Sequence, residues 1–490
     1  MDFLQNREQY VASDKPLDMI LGSSVASQDI YGQAICEALE LVRKNTNQQR
    51  IHAATTPNVL RESLKQIDIF PQTGECLFPI IREIGEPAVF NALNVGNPAT
   101  MAHLHCPVAI PALVAELLIS ATNQSLDSWD QSPFATLIEE RLLSWLTQFF
   151  GLPESAGGSF TSGGSQSNMT ALYLAAERGG LDARTKGVIF TSERSHFSIH
   201  KNAFILGFPE SSVISIKTDV DGRLIAQDLR TAIENVLAEQ KFPVAIVATA
   251  GTTDLGSIDP LPEVADIAAE YNLWLHVDAA YGGGLMFSRH RGHLAGIERA
   301  TSITLDFHKM LFQPISASVL LLRNQTDFLP LSMKSDYLNP QTPVFEDLPN
   351  LVEYSMQTTR RSDALKVLMT LRVLGREGLD FLICQTLQNA EAAAQAIRER
   401  SYLELARPPF LSTVLFRYIS FRGEQHADEL TLAIRSRLFS SGKAALATTV
   451  FNGHIYFKLT LLNPNSTSDV ICSVLDAIKN AAQEMEGKYV

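Results

Sequence analysis

Between Gly187 and Leu322 the chain alternates short, mostly apolar runs with amphipathic segments, and this alternation limits the possible folds more than any other feature. Gly187–Thr191, Val244–Ala248, Leu273–Asp278 and Ala317–Leu322 have the length and β-branched content of buried strands. Pro262–Tyr271 lies between two of them, with Val264, Ile267, Ala268 and Tyr271 on one helical face. Strands that alternate with helices predict an α/β fold with a mainly parallel sheet. In open sheets of that kind, ligands bind beyond the carboxyl ends of the strands.

The flanking regions read differently. Ala34–Val42 and Val59–Ile67 have amphipathic helical spacing, interrupted by Pro57 and the Phe70-Pro71 turn. Ser128–Phe150 contains a long amphipathic helix that closes at Gly151-Leu152-Pro153. Beyond Gly378 the pattern is α+β, with strands expected at Thr413–Tyr418 and Ile455–Leu461 and a closing helix over Ser468–Met485. A chain of 490 residues exceeds one ordinary core. The expected division is an N-terminal helical segment over 1–95, a large domain over 96–377 and a small domain over 378–490.

Composition narrows the partners. Acidic residues outnumber basic ones, the formal net charge is -13, and there is no Lys/Arg run, which argues against nucleic acid and anionic membrane surfaces. Five scattered cysteines without a CxxC pair argue against a disulfide framework and a cysteine zinc site. The segment His103-Leu-His105-Cys106 has no further Cys or His close in sequence and is read as cleft lining or packing, so no metal is expected. The N-terminus has no basic-then-apolar signal pattern and no apolar run reaches the length of a membrane span, so the expected home is the cytoplasm.

Four short segments carry chemistry. In Thr304-Leu-Asp-Phe-His-Lys309, a lysine at a strand exit can present its amine to a cleft and form an imine with an aldehyde cofactor. In Leu273-Trp-Leu-His-Val-Asp278, followed by Ala279-Ala280-Tyr281 and three glycines, Asp278 ends a buried strand. A carboxylate there is costly without a cationic partner, and a protonated pyridine nitrogen is one. His276, two residues earlier, shares its face. Phe160-Thr-Ser-Gly-Gly-Ser-Gln-Ser-Asn168 leads into a helix, and Ser165, Gln166 and Ser167 at its start are placed to hold a phosphate. In Ser192-Glu-Arg-Ser-His-Phe-Ser198, His196 can lie flat on a pyridine ring while a neighbouring hydroxyl orients it; Thr249 ends a further strand. Each segment has an ordinary structural reading as a cap, a core histidine or a surface lysine. Together they supply a phosphate cradle, a ring stack, a pyridine-nitrogen partner and a Schiff-base lysine.

This set resembles the group II pyridoxal-phosphate decarboxylases. His103-Leu-His-Cys-Pro107, Asn123–Pro133, Phe312-Gln-Pro314, Asp336-Tyr-Leu-Asn-Pro340, Gln357-Thr-Thr-Arg-Arg361 and Leu459–Pro464 narrow the resemblance to bacterial L-2,4-diaminobutyrate and siderophore-pathway L-lysine decarboxylases. It runs from about Pro98 to the C-terminus. It implies fold type I, with a seven-stranded sheet in the large domain, a dimer-forming N-terminal segment and a homodimer with its active site at the interface. It implies pyridoxal 5′-phosphate bound at Lys309, with Asp278 at the pyridine nitrogen and His196 on the ring. Ser165, Gln166 and Ser167 would hold the phosphate, helped near Asp306 and His308, with Thr249 and Ala280 at the ring. Tyr337 matches the loop tyrosine that reprotonates the substrate carbon. Ser362 departs from the pattern, since relatives usually carry an aromatic residue after the double arginine.

The expected reaction is decarboxylation of a diamino acid to a diamine and carbon dioxide, supplying siderophore or polyamine synthesis. The alternatives are ornithine, glutamate or aromatic substrates, or an aminotransferase that uses Arg360 or Arg361 for the α-carboxylate. From another class, Ser198-Ile-His-Lys201 fits the Ser-x-x-Lys pattern of some serine hydrolases, without a Lys-Thr-Gly partner. Asp127 and Asp130 are candidates for holding a distal ammonium.

Overall fold

The computed structural model describes residues 15–333 and 348–487. Its seven-stranded sheet runs β1 (Gly157–Thr161), β2 (Gly187–Ser192), β3 (Val213–Ile216), β4 (Phe242–Thr249), β5 (Trp274–Asp278), β6 (Ser302–Asp306) and β7 (Ser318–Leu322). The spatial order is β1-β7-β6-β5-β4-β2-β3. β3, β2, β4, β5 and β6 pair in parallel, and β7 is antiparallel to both β6 and β1. β1 therefore points the same way as β6, and the carboxyl ends of six strands open on one edge.

The apolar runs become strands because both faces are covered. Ile246 and Ala248 pack into one hydrophobic core, while Ala245 and Val247, on the opposite face, pack into another. β7 repeats the division, with Val319 and Leu321 on one side and Leu320 and Leu322 on the other. Helices Pro133–Phe149 and Leu261–Glu270 contribute to the first core and Gly164–Lys186 and Ser198–Ile205 to the second. The expected strands at 187–191, 244–248, 273–278 and 317–322 correspond to β2, β4, β5 and β7, with ends displaced by one or two residues. β1 and β3 had no counterpart in the sequence reading.

Two compact units emerge. One comprises 103–417 and 458–468 and contains the sheet; the other comprises 1–102, 418–457 and 469–490. In the latter, the helix Val25–Thr46 is capped by Ser24, whose side chain accepts from the Ser27 N–H. The N-terminal segment is tied to the C-terminal part of this unit: Ile51 N–H donates to Gly442, and the His52 ring meets the Phe439 carbonyl at 2.9 Å. The expected boundary at 377/378 falls inside the helix Asp363–Arg398, next to a break at Gly375, where φ is +64°. Among the described residues, no helix is long and apolar enough to cross a membrane.

Candidate active site

Strand register sets the site. Thr249 and Asp278 lie side by side at the ends of β4 and β5, and Asp278 lies beside Thr304, two residues before the end of β6. A cavity of about 300 Å³ opens there, and Ser165, Gln166, His196, Thr249, Asp278, Ala280, Asp306, His308 and Lys309 all line it. Nine side chains from five separate stretches of sequence are thus brought together.

β6 ends at Asp306, and the next three residues turn Lys309 back over it. Lys309 Nζ is 3.0 Å and His308 Nε2 3.6 Å from Asp306 Oδ2. His308 is itself fixed by Nδ1, 2.8 Å from the Ala317 carbonyl. Asp278 Oδ1 accepts from the Ala280 N–H at 3.2 Å, and its Oδ2 accepts from Asn168 Nδ2 at 2.8 Å. Asp278 is 5% exposed, yet among the described residues no lysine or arginine is paired with it. His196 Nδ1 is 2.8 Å from Ser198 Oγ, the neighbouring hydroxyl anticipated from sequence. Burial lowers the pKa of His196, opposed by the charge of Asp278 and aided by that of Lys309.

The start of the helix Gly164–Lys186 also lines the cavity. The Gln166 and Ser167 N–H groups donate to the Gly163 carbonyl, which leaves those of Gly164 and Ser165 without an acceptor in the helix, and Gly163, Gly164 and Ser165 line the cavity. A Cβ on Gly164 would come within 3.2 Å of both the Ala280 Cβ and Asp306 Oδ2, so a larger residue would need these neighbours to give by a few tenths of an ångström. Gln166 Oε1 accepts from the N–H and hydroxyl of Ser162, which closes the turn.

Two expected site residues stand elsewhere, and a third cannot be placed. Ser167 is fully buried behind the wall, with Oγ 2.6 Å from Thr161 Oγ1, and is not among the lining residues. His276 is fully buried beneath the cavity and reaches Asp278 only through Asn168. Tyr337 lies outside the described residues. Conversely, Asn168, Gly251, Thr253 and Tyr281 line the cavity and were not singled out from sequence. Asn168 closes the glycine-rich run, but an asparagine in a first helical turn gives no signal of its partners.

The rival readings lose their geometry. Arg360 is buried against Glu139 at 2.9 Å and Arg361 pairs with Glu116 at 2.6 Å; neither lines the cavity. Lys201 is exposed, whereas Ser198 is buried between His196 and Asn168.

Pyridoxal phosphate fits the residues present. Among the described residues, Thr249 Oγ1 and Asp306 Oδ1 are buried without a hydrogen-bond partner, at a cavity with an amine, a carboxylate and a helix start on its walls. Two polar atoms left open in this way imply a polar group that completes them.

A family model described as the pyridoxal-dependent decarboxylase conserved domain matches residues 62–419. An L-2,4-diaminobutyrate decarboxylase of Rhizobium meliloti (strain 1021) is 60% identical over 470 residues, 96% of this chain and 95% of that protein. One from Acinetobacter baumannii is 33% identical, over 100% of this chain and 99% of its own. Among solved structures, the glutamate decarboxylase domain of a diaminobutyrate-pyruvate transaminase and L-2,4-diaminobutyrate decarboxylase from Vibrio parahaemolyticus superposes with a TM-score of 0.85. It is 33% identical, covering 95% of this chain and 98% of that one.

Proposed function

The chain belongs to the pyridoxal-dependent decarboxylase family, and on that premise we propose that it converts L-2,4-diaminobutyrate to 1,3-diaminopropane and carbon dioxide. The observation that carries the reading is the amine of Lys309 and the buried carboxylate of Asp278 on the walls of one cavity. The choice of substrate is supported by the 60% identity to a diaminobutyrate decarboxylase along almost the whole chain.

Pyridoxal phosphate supplies an electron-accepting ring that takes up the electrons of the broken Cα–carboxylate bond. The protein does the rest. Lys309 would anchor the cofactor covalently, and Asp306 would hold the free Lys309 amine at the cavity wall. Asp278 keeps the pyridine nitrogen protonated. His196 covers one face and so restricts how the scissile bond can point, while Ser165 and Gln166 hold the phosphate at the helix start. Thr249 and Ala280 complete the ring's surroundings. Tyr337 delivers the proton to the α-carbon, with His308 beside the reacting atoms. Arg360 and Arg361 are committed to carboxylates of the chain, which disfavours the aminotransferase alternative.

The working form is proposed to be a cytoplasmic homodimer, its product feeding siderophore or polyamine assembly. A substrate panel tests the assignment: diaminobutyrate, ornithine, lysine, glutamate and aromatic amino acids, each with the holoenzyme and no 2-oxo acid. Diaminobutyrate should give the highest kcat/KM. Turnover confined to glutamate or aromatic substrates would refute the diamine reading.

A further inference from the structure

Two residues, Asp278 on the cavity wall and the buried Trp274, have set hydrogen-bond roles, and they fix the groups between them. Trp274 Nε1 can only donate, and Asp278 Oδ2 accepts from Asn168 Nδ2. Trp274 Nε1 lies 2.7 Å from Ser302 Oγ, so that oxygen accepts and has its own proton to give. Its other neighbour is His276 Nδ1 at 2.8 Å. At the far end, Asn168 meets Asp278 Oδ2 at 2.8 Å, and only its amide nitrogen can do so. The amide oxygen is thereby turned toward His276 Nε2 and Thr304 Oγ1, each at 2.9 Å, and both must donate to it. His276 therefore carries its proton on Nε2 and receives the Ser302 hydroxyl on Nδ1. Burial pushes its pKa down to about 4, in keeping with a neutral ring.

The same amide nitrogen has a second hydrogen. Ser198 Oγ lies 3.2 Å from it and accepts, which leaves the Ser198 proton for His196 Nδ1 at 2.8 Å. The Ser198 backbone N–H points at the same ring nitrogen, at 3.3 Å. Nδ1 of His196 is thus an acceptor twice over, and the proton of the neutral ring sits on Nε2. Asn168 is 1% exposed, and His276, Ser302 and Thr304 are fully buried, so water does not compete for these bonds.

We propose that Asn168 is a positioning residue: by donating to Asp278 and Ser198 at once, it locks His196 and His276 as neutral Nε2–H tautomers. One amide then sets both the carboxylate and the imidazole that line the cavity. The charged groups around His196 are Asp278, Lys309, Asp306 and Asp254. None of them is bonded to Nδ1, so the tautomer follows from the amide and the serine.

The test begins with the cofactor-free native chain labelled with ¹⁵N-histidine. Near pH 7.5, a value chosen about one unit above the ordinary histidine pKa, NMR nitrogen shifts should show both rings as Nε2–H, with assignments from His196→Gln and His276→Gln. Either ring found as Nδ1–H or charged overturns the proposal, and this measurement needs no altered Asn168. Ser198→Ala should release His196 into a tautomer mixture while His276 stays Nε2–H; an unmoved His196 would count against the proposal. Asn168→Asp keeps the shape and the oxygen toward His276 but faces Asp278 with a second carboxylate.

The last arm rests on the pyridoxal-phosphate reading. In the holoenzyme, Asn168→Asp should move the pH midpoint of the visible absorption band upward by about one pH unit or more, because the two carboxylates then share a proton. An unchanged midpoint overturns the coupling of Asn168 to Asp278. If the native chain takes up no pyridoxal phosphate, the cofactor reading fails, and the histidine spectra still decide the tautomer lock.

Discussion

Lys309 Nζ sits 3.0 Å from Asp306 Oδ2, at the exit of the strand that ends at Asp306. The carboxylate holds the amine at the cavity wall and gives its ammonium a place to rest when it is free. If Lys309 anchors the cofactor, a carbon–nitrogen double bond to it is reducible. Borohydride treatment of the holoenzyme followed by peptide mapping should find the pyridoxyl mass on the peptide containing Lys309 and on no other. Lys309→Ala should lose both that label and the visible absorbance expected of an imine between the lysine and the cofactor.

Tyr337 is assigned by resemblance to the proton that completes the amine. Tyr337→Phe should lower diamine formation by about 10²–10⁴-fold, the range for loss of a positioned proton donor. Any diverted flux should appear as an aldehyde matched by an equal amount of pyridoxamine phosphate, the amino group having passed to the cofactor, both measured by chromatography of the reaction mixture. Unaltered amine yield with no diversion would remove Tyr337 from the mechanism.

Lys366 is fully buried, with Nζ 2.8 Å from Glu116, 2.9 Å from Asp363 and 2.7 Å from the Ser316 carbonyl. These bonds tie the start of the helix Asp363–Arg398 to the helix Ile110–Thr122 and to the loop before Ala317. Ala317 in turn fixes His308. Lys366→Met leaves two carboxylates with Arg361 as their remaining cation and should cost about 3–5 kcal/mol, the scale for breaking a buried pair. A clear fall in the thermal midpoint is expected. The same variant should also weaken cofactor retention in dialysis, since His308 precedes Lys309.

Asp259 gives a pH signature. Burial pushes its pKa up to about 6, against backbone N–H groups of Leu224 and Thr249 and with the charge of Asp219. A raised carboxyl pKa means that the folded chain binds the proton more tightly than the unfolded chain does. Asp259 therefore favours folding most at low pH, and its contribution falls as pH rises from about 4 to about 6. Comparing native and Asp259→Asn unfolding across that window isolates the residue. The native chain should lose stability relative to the variant as pH rises, although the variant starts lower, because one of the two N–H groups loses its acceptor.

The sequence revealed what was apolar, punctuated and long. β2 and the strand Thr413–Tyr418 could be read because unbroken apolar runs end at glycine or polar turns. β1 could not, since it opens with Gly157-Gly158-Ser159 and becomes a strand only by pairing with β7. β3 is a four-residue edge strand, too short to show a period. In the site, Asp278 and Lys309 were legible because strand ends in a parallel sheet converge, whereas Asp306 entered only through the family resemblance. His276 and Ser167 were placed one layer too near the cavity: both have the right face or turn but sit deeper, a depth that periodicity does not encode. Asn168 was illegible for another reason. Its bonds reach Asp278, His276 and Thr304, each more than 100 residues away.

The central claim, decarboxylation of a diamino acid by a pyridoxal-phosphate enzyme, is tested most directly by product stoichiometry. The holoenzyme is given L-2,4-diaminobutyrate without any 2-oxo acid, and carbon dioxide and 1,3-diaminopropane are measured together. The account predicts their appearance in a one-to-one ratio, abolished in Lys309→Ala. Consumption of diaminobutyrate only when a 2-oxo acid is added, with no carbon dioxide released, would contradict it.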